Sequence, residues 1–315
     1  TTLFRSGAGV DPQHLNQHID YGLLHTDHNA TTSATIDSYK PHSLATPLQV
    51  VVNAAGDKVY MAAYGSGKIG VFNASDIEDP NFESNFDPMA ESANYIDTGG
   101  GPGGLALDEN HNRLYVLTRF DNQVEVIDLT SNATVQVHTL HNPEPQHVID
   151  GRPILYDANL TSGNGETSCA SCHIFGDNDN LAWNLGNPDG SVTTNTQPQQ
   201  VFIPTGNQNT FHPQKGPMTT QTLRGMATHG SQHWRGDKVD GFFGLDDCPG
   251  GDAPVNTNPA ACSEEFGFLN FIEAFEGLVG KEGTISVMEM EDFRDFALDI
   301  LLPPNPHQPL DNTFS

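Results

Sequence analysis

From Pro47 to Phe72 the chain alternates apolar and polar positions in short bursts separated by turn residues, with Val50 and Val52, Tyr60, and Ile69 and Val71 marking the apolar beats. The same pattern returns without a gap from Pro102 to Ile127, setting Leu105/Leu107 on Val50/Val52, Tyr115 on Tyr60, and Val124/Val126 on Ile69/Val71. Alternation of this kind is the period-2 signal of half-buried strands. Each unit predicts three strands: one before Gly56-Asp57 or Asn110-His111-Asn112, one through the tyrosine, and one after a turn at Gly65-Ser66-Gly67 or Asp121-Asn122. Self-similarity at this spacing predicts β-propeller blades, with repeat units at about 47–76 and 102–131. Two blades cannot close a ring of about 4–8. An incomplete propeller is therefore expected here, completed by blades upstream of Thr1 or by another chain.

The alternation stops around Asn142-Pro143-Glu144-Pro145, and from Gly151 onward the sequence is loop-rich with short helical stretches. This predicts a partial propeller over 1–148 and a mainly α, loop-rich domain over 149–315. Two helices are expected late in the chain. Glu264 to Leu278 aligns Phe268, Phe271, Ile272 and Phe275 on one face, and Val287 to Leu301 aligns Met290, Phe293, Ala297 and Ile300, with Pro303-Pro304 ending the second.

Charge and cysteine content narrow the function. Forty acidic against 13 basic side chains leave a net charge of −27, which repels nucleic acid and anionic membranes and favours a basic partner. No stretch approaches the roughly 18 apolar residues of a membrane span. The chain begins Thr1-Thr2, from which either a removed signal peptide or a more distant amino terminus is expected. Of the four cysteines, Cys248 and Cys262 flank a Pro/Gly/Asn loop and are predicted to form a disulfide, which points to an oxidising, periplasmic or extracellular compartment.

The other pair sits in Cys169-Ala170-Ser171-Cys172-His173. Two thiols three positions apart reach two vinyl groups of one porphyrin, and the adjacent histidine is then held under the ring as proximal iron ligand, so this spacing reads as attachment of one c-type haem. A zinc half-site would need a second pair nearby, and a thioredoxin-like redox pair would need a βαβ setting; the sequence offers neither. The sixth ligand stays open among Met218, Met226, His212, His229 and His233; methionine raises the haem potential and a second histidine lowers it. Arg224 and Arg235 either pair with the haem propionates or form ordinary surface ion pairs. Asp177, Asn178, Asp179 and Asn180 read as a calcium site or, in the plainer reading, as a solvated turn. His14/His18 and His25/His28 have metal-clip spacing but read more simply as structural histidines.

The stretch His212-Pro213-Gln214-Lys215-Gly216-Pro217-Met218-Thr219-Thr220-Gln221-Thr222-Leu223, followed by His233-Trp234-Arg235-Gly236-Asp237, resembles the amino-terminal haem domain of bacterial di-haem cytochrome c peroxidases and the related quinone-cofactor-maturing enzymes. That resemblance implies His212 as distal ligand of an electron-transfer haem, one residue closer to the Gln-Lys-Gly-Pro segment than in the family. It also implies a haem-proximal role for Trp234, with Arg and Asp exchanged in the segment that follows. The blades, with Gly163-Asn164-Gly165-Glu166-Thr167-Ser168-Cys169 and Phe175-Gly176-Asp177, resemble a subfamily that fuses a YVTN-like propeller to this module; the family's calcium, bound between its domains, would fall to the Asp177 run. No second Cys-x-x-Cys-His occurs in these 315 residues.

Three functions follow as expectations. The first is an extracytoplasmic electron carrier with one bis-histidine haem and a redox partner protein. The second is a di-haem peroxidase or maturation oxidase whose second haem domain lies outside this chain. The third is a haem-bearing subunit of an extracellular assembly, formed by copies that complete the propeller.

Overall fold

The computed structural model describes residues 2–4, 12–21, 38–185, 193–194, 210–211, 217–228, 232, 264–305 and 307. The chain divides into two compact units, one of residues 1–172 with 272–289 and the other of 173–271 with 290–315. The described part is β-rich and antiparallel.

In the first unit, β1 (Thr2–Phe4) pairs with β2 (Pro12–His14). Two four-stranded sheets follow. The first is the meander β3 (Pro47–Val52), β4 (Lys58–Ala63), β5 (Lys68–Asn73) and β6 (Ile96–Asp97). The second is β7 (Pro102–Asp108), β8 (Arg113–Thr118), β9 (Gln123–Asp128) and β10 (Ala133–Thr139). The three predicted strands of each repeat start at equivalent positions, and each sheet adds a fourth strand that the repeat pattern did not indicate. Even the irregularities repeat. The first pair of each sheet shifts register at Pro47/Gln49 and at Pro102/Gly104, and the second turn takes a positive φ at equivalent sites, 59° at Gly67 and 52° at Asn122. Gly and Asn are the residues that enter this region at least cost.

Pairing register sorts the side chains into faces. One face of the first sheet carries Met61, Ala63 and Phe72 into a core with Leu15, Leu44, Ile77, Phe82 and Phe86. Its other face, with Ala62, Ile69, Val71 and Ile96, packs on Leu105, Leu114, Val116 and Ile127 of the second sheet. Gln49 links the two sheets with its side-chain amide: Nε2 donates to the Leu105 carbonyl (3.2 Å) and Oε1 accepts from the Leu105 N–H (2.7 Å). Between β6 and β7 the chain runs through Gly99-Gly100-Gly101; a Cβ at Gly101, where φ is 65°, would sit 2.8 Å from the Phe120 ring.

The helix Gln146–Tyr156 then crosses the sequence expected to be a boundary, carrying Pro153 inside it. It is tied to the hairpin ends of both sheets. Tyr64 packs edge-on against Phe120 and Tyr156, and Glu144 accepts hydrogen bonds from both Arg119 (2.6 Å) and Arg152 (2.5 Å). Against the cost of burial, these two guanidiniums hold the Glu144 carboxyl below its ordinary range.

Late in the chain, the helix expected over 264–278 is interrupted. It runs as Glu264–Leu269, a 3-10 turn at Asn270–Ile272, and Glu273–Gly277. The helix expected over 287–301 is Val287–Leu298, with Met290, Phe293 and Ala297 buried as its periodicity implies. No helix among the described residues is long and apolar enough to cross a membrane.

Candidate functional site

The approach to the Cys-x-x-Cys-His segment is built in the first unit by a loop of small and polar residues. Gly163 donates its N–H to the Val279 carbonyl (2.9 Å), the Ser43 hydroxyl donates to the Asn164 carbonyl (2.6 Å), and the Gly165 N–H donates to the Ser162 hydroxyl (3.1 Å). Tyr21 donates its hydroxyl to Glu166 (2.5 Å). This loop delivers Cys169 into the 3-10 turn Cys169–Ser171, which the Ser171 hydroxyl closes by accepting from the Ser168 N–H (3.1 Å).

A 3-10 turn has three residues per turn, so side chains at i and i+3 eclipse. The Cys172 N–H bonds back to the Cys169 carbonyl at 3.3 Å, closing the turn that carries both cysteines. No disulfide joins them. Burial, with a smaller contribution from Cys172, pushes the Cys169 thiol up to about 12, so it stays a thiol at neutral pH.

The division between the two units falls between Cys172 and His173. On its own side, His173 precedes the 3-10 turn Ile174–Gly176. Burial lowers its pKa, opposed by the main chain of Gln221 and Asp177 and by the Asp179 carboxylate, so the imidazole is neutral. Its Nδ1 is buried without a hydrogen-bond partner.

Residues 218–225 run beside 175–183 in the second unit. β12 (Met218–Thr219) pairs antiparallel with β11 (Ala182–Trp183), with Met218 opposite Trp183. The Leu223 N–H bonds the Gly176 carbonyl (3.1 Å), Arg224 Nη2 bonds the Phe175 carbonyl (3.2 Å), and Arg224 Nε lies 3.4 Å from Asp177. Met218 and Arg224 therefore belong to the same local layer as the segment after His173. The main-chain approach of Gln221 to His173 was not visible in the sequence, because a contact made by peptide groups leaves no side-chain signature.

The Asp177–Asn180 run closes on itself. Asp179 accepts from the Leu181 N–H (2.9 Å) and the Trp183 indole (2.8 Å), and Asn178 accepts from the Asn180 N–H (3.0 Å). Among the described residues no group of three or more His, Cys, Asp and Glu side chains is gathered as a metal site. In the first unit, His18 bonds Ser43 (3.0 Å) and the Tyr39 carbonyl (3.2 Å), and burial lowers its pKa to about 4. Met226 is buried. The remaining candidates, His212, His229, His233, Trp234, Arg235, Cys248, Cys262, His25 and His28, lie outside the described residues.

What the described residues can hold follows from their donors. Each unit supplies donors of the kind a covalently attached haem uses: the Cys169 and Cys172 thiols in the first, and in the second the half-buried His173, whose buried Nδ1 has no hydrogen-bond partner. A buried polar atom without a partner calls for a ligand or water.

No family model matches the chain, and no curated protein does. Solved structures with some likeness include hydrazine synthase of Kuenenia stuttgartiensis (12% identity, 31% of this chain, 24% of that one, TM-score 0.25). Another is a nidogen/laminin complex (14% identity, 31% and 32%, TM-score 0.23). A third is the periplasmic gluconolactonase PpgL of Pseudomonas aeruginosa (18% identity, 44% and 32%, TM-score 0.27). The chain spans a third or less of the length of these structures, and likeness at this level carries no functional argument.

Proposed function

We propose that the protein is an extracytoplasmic c-type cytochrome whose one haem is held by Cys169, Cys172 and His173 and serves in electron transfer. The observation that carries this reading is the short 3-10 turn that begins at Cys169 and is closed by the Cys172 N–H, followed by the half-buried His173, whose Nδ1 has no hydrogen-bond partner. In this reading the two repeats are blades of a propeller, and the haem segment belongs to a module like that of the di-haem cytochrome c peroxidases.

When bound, haem c supplies a one-electron iron couple whose potential follows its axial ligands. Cys169 and Cys172 would hold the group through thioether bonds to its two vinyl positions. His173 would offer a ring nitrogen to the iron, and burial, which lowers its pKa, favours the neutral form that can do so. From their place around the Gln-Lys-Gly-Pro and Trp-Arg-Gly-Asp segments, His212 would serve as the second histidine ligand and Trp234 would take the family's haem-proximal role, while Arg224 and Arg235 would be the cations available to the propionates. The acidic surface, at net charge −27, suits a basic redox partner.

Substitution at the axial positions tests the reading. His212→Ala is expected to turn a low-spin visible spectrum high-spin and to admit peroxide, while Met218→Ala leaves the spectrum low-spin. A high-spin Met218 variant beside an unchanged His212 variant would make the haem methionine-ligated and of higher potential. Steady peroxide turnover by the unsubstituted protein would replace the carrier reading with an enzymatic one.

A further inference from the structure

Three side chains of the first unit meet over one oxygen and leave three buried polar atoms unused. Glu144 Oε1 accepts from Arg119 Nη2 (2.6 Å) and from Arg152 Nη2 (2.5 Å). Arg119 Nη1, Arg152 Nη1 and Glu144 Oε2 are buried and have no hydrogen-bond partner among the described residues. Each of these atoms shares its carbon with the atom that bonds at the Oε1 junction, so covalent geometry gathers all three around it. Arg152 is 7% exposed. Tyr64, whose hydroxyl feels both guanidiniums and Glu144, packs edge-on against Phe120 and Tyr156 beside the cluster. The Arg119 and Glu144 side chains, 34% and 25% exposed, leave an approach from solvent.

The charges at this junction do not balance. One carboxylate faces two guanidiniums. The acids beside the arginines in sequence are engaged elsewhere: Asp121 accepts from the Gly100 N–H (2.6 Å) and Asp150 from the Gln146 amide (2.8 Å). An uncompensated buried charge is strongly destabilising. A water molecule can accept from both Nη1 groups, but it is neutral and leaves that charge standing. An anion removes it, and guanidiniums favour oxyanions, whose oxygens match their forked donors. The remaining atom, Glu144 Oε2, is an acceptor. A ligand that fits all three therefore presents oxygens to the two arginines and a hydroxyl to the glutamate.

We propose that Arg119, Arg152 and Glu144 form a binding site for a phosphate group that carries a hydroxyl. Inorganic phosphate keeps a hydroxyl at neutral pH, whereas a phosphate monoester, with a second pKa of about 6, has mostly lost its own. Arg119 follows β8 and Arg152 lies on the helix Gln146–Tyr156, so the bound anion ties that helix to the second sheet. The inference does not depend on the haem.

Calorimetric titration of the native protein at neutral pH with inorganic phosphate, sulfate and glycerol phosphate tests it. Ionic strength is matched throughout, because any salt screens a net charge of −27. Phosphate should bind about ten-fold or more tightly than sulfate, which has the same oxygens and no hydroxyl. Arg119→Gln, on the exposed side of the cluster, should weaken phosphate binding by about ten-fold or more. If that variant does not fold, Arg119→Lys stands in: it keeps the charge, loses the fork and should also weaken binding. Glu144→Gln offers an amide donor where the carboxylate only accepts, and should close the gap between sulfate and phosphate. Glycerol phosphate separates the two sources. Weaker binding than the free ion supports the site with inorganic phosphate as ligand, and binding as tight or tighter supports it with a monoester. No phosphate binding, equal affinity for sulfate in the native protein, or binding that the Arg119 substitutions leave unchanged would overturn the proposal.

Discussion

The two sheets of the first unit agree over their first three strands, down to the register shift in the first pair, yet they stand in different surroundings. Around the first, apolar cores lie on both faces, one made with Leu15, Leu44, Phe82 and Phe86 and the other with the second sheet. Among the described residues, the second sheet packs one face on the first and ends in β10, every residue of which is exposed. Alternation along a strand thus specifies that two faces exist and which residues share each. What lies over a face depends on the elements brought against it, which is why Ala62 is fully buried and its counterpart Leu117 is not.

The largest expected effect separates the two faces of the second sheet. Leu114→Ala removes a fully buried side chain from between the sheets and should cost about 2–5 kcal/mol. Leu117→Ala, three residues along on the opposite face, should stay within about 0.5 kcal/mol. Urea unfolding of the two variants reads both, and similar losses would break the distinction.

A smaller effect distinguishes the surroundings of the first sheet. His18 follows Leu15 and bonds Ser43, beside the core on that sheet's outer face. Its folded pKa of about 4 lies below the ordinary value of 6.5, chiefly through burial. The unfolded chain therefore binds more protons between those values. The stabilising contribution is complete above pH 6.5 and declines as the pH falls to about 4. Thermal melts of the native protein and His18→Gln across this range should show a shallower decline in the variant; parallel curves would remove His18 from the account.

The smallest effect lies at matched surface positions. Lys58 Nζ bonds the neutral Asn73 side chain (2.7 Å), while its counterpart Arg113 pairs with the Asp128 carboxylate. Each alanine variant should cost less than about 1 kcal/mol, and only the Arg113→Ala difference should shrink with added salt. Salt dependence at Lys58 instead would show that another charge governs the site.

The strands were legible in the sequence because Val50/Val52 and Ile69/Val71 alternate between clear turn residues, and the repeat supplied a second reading of the same signal. The fourth strands were not. Ile96–Asp97 is too short to show a period and follows a polar insertion, and Ala133–Thr139 buries neither face. The helix Gln146–Tyr156 was obscured by Pro143, Pro145 and Pro153, which read as breakers although Pro145 stands at the N-cap and Pro153 is accommodated inside. Phe268, Phe271, Ile272 and Phe275 share a helical period, but the 3-10 turn Asn270–Ile272 interrupts it, a local tightening that periodicity does not register. At the candidate site, Cys169, Cys172 and His173 stood out because the proposed covalent attachment requires that spacing. The alignment of Met218 with Trp183 rests on a two-residue strand pair, and the approach of Gln221 to His173 on main chain alone; neither leaves a pattern in residue type.

The central claim, one covalent haem at Cys169 and Cys172, is tested most directly by the intact mass of the denatured native protein. The account predicts the mass of the polypeptide plus one haem, with that increment absent from the protein carrying Cys169→Ala and Cys172→Ala together. A native protein whose mass is that of the bare polypeptide, or a haem increment that survives the double substitution, would contradict it.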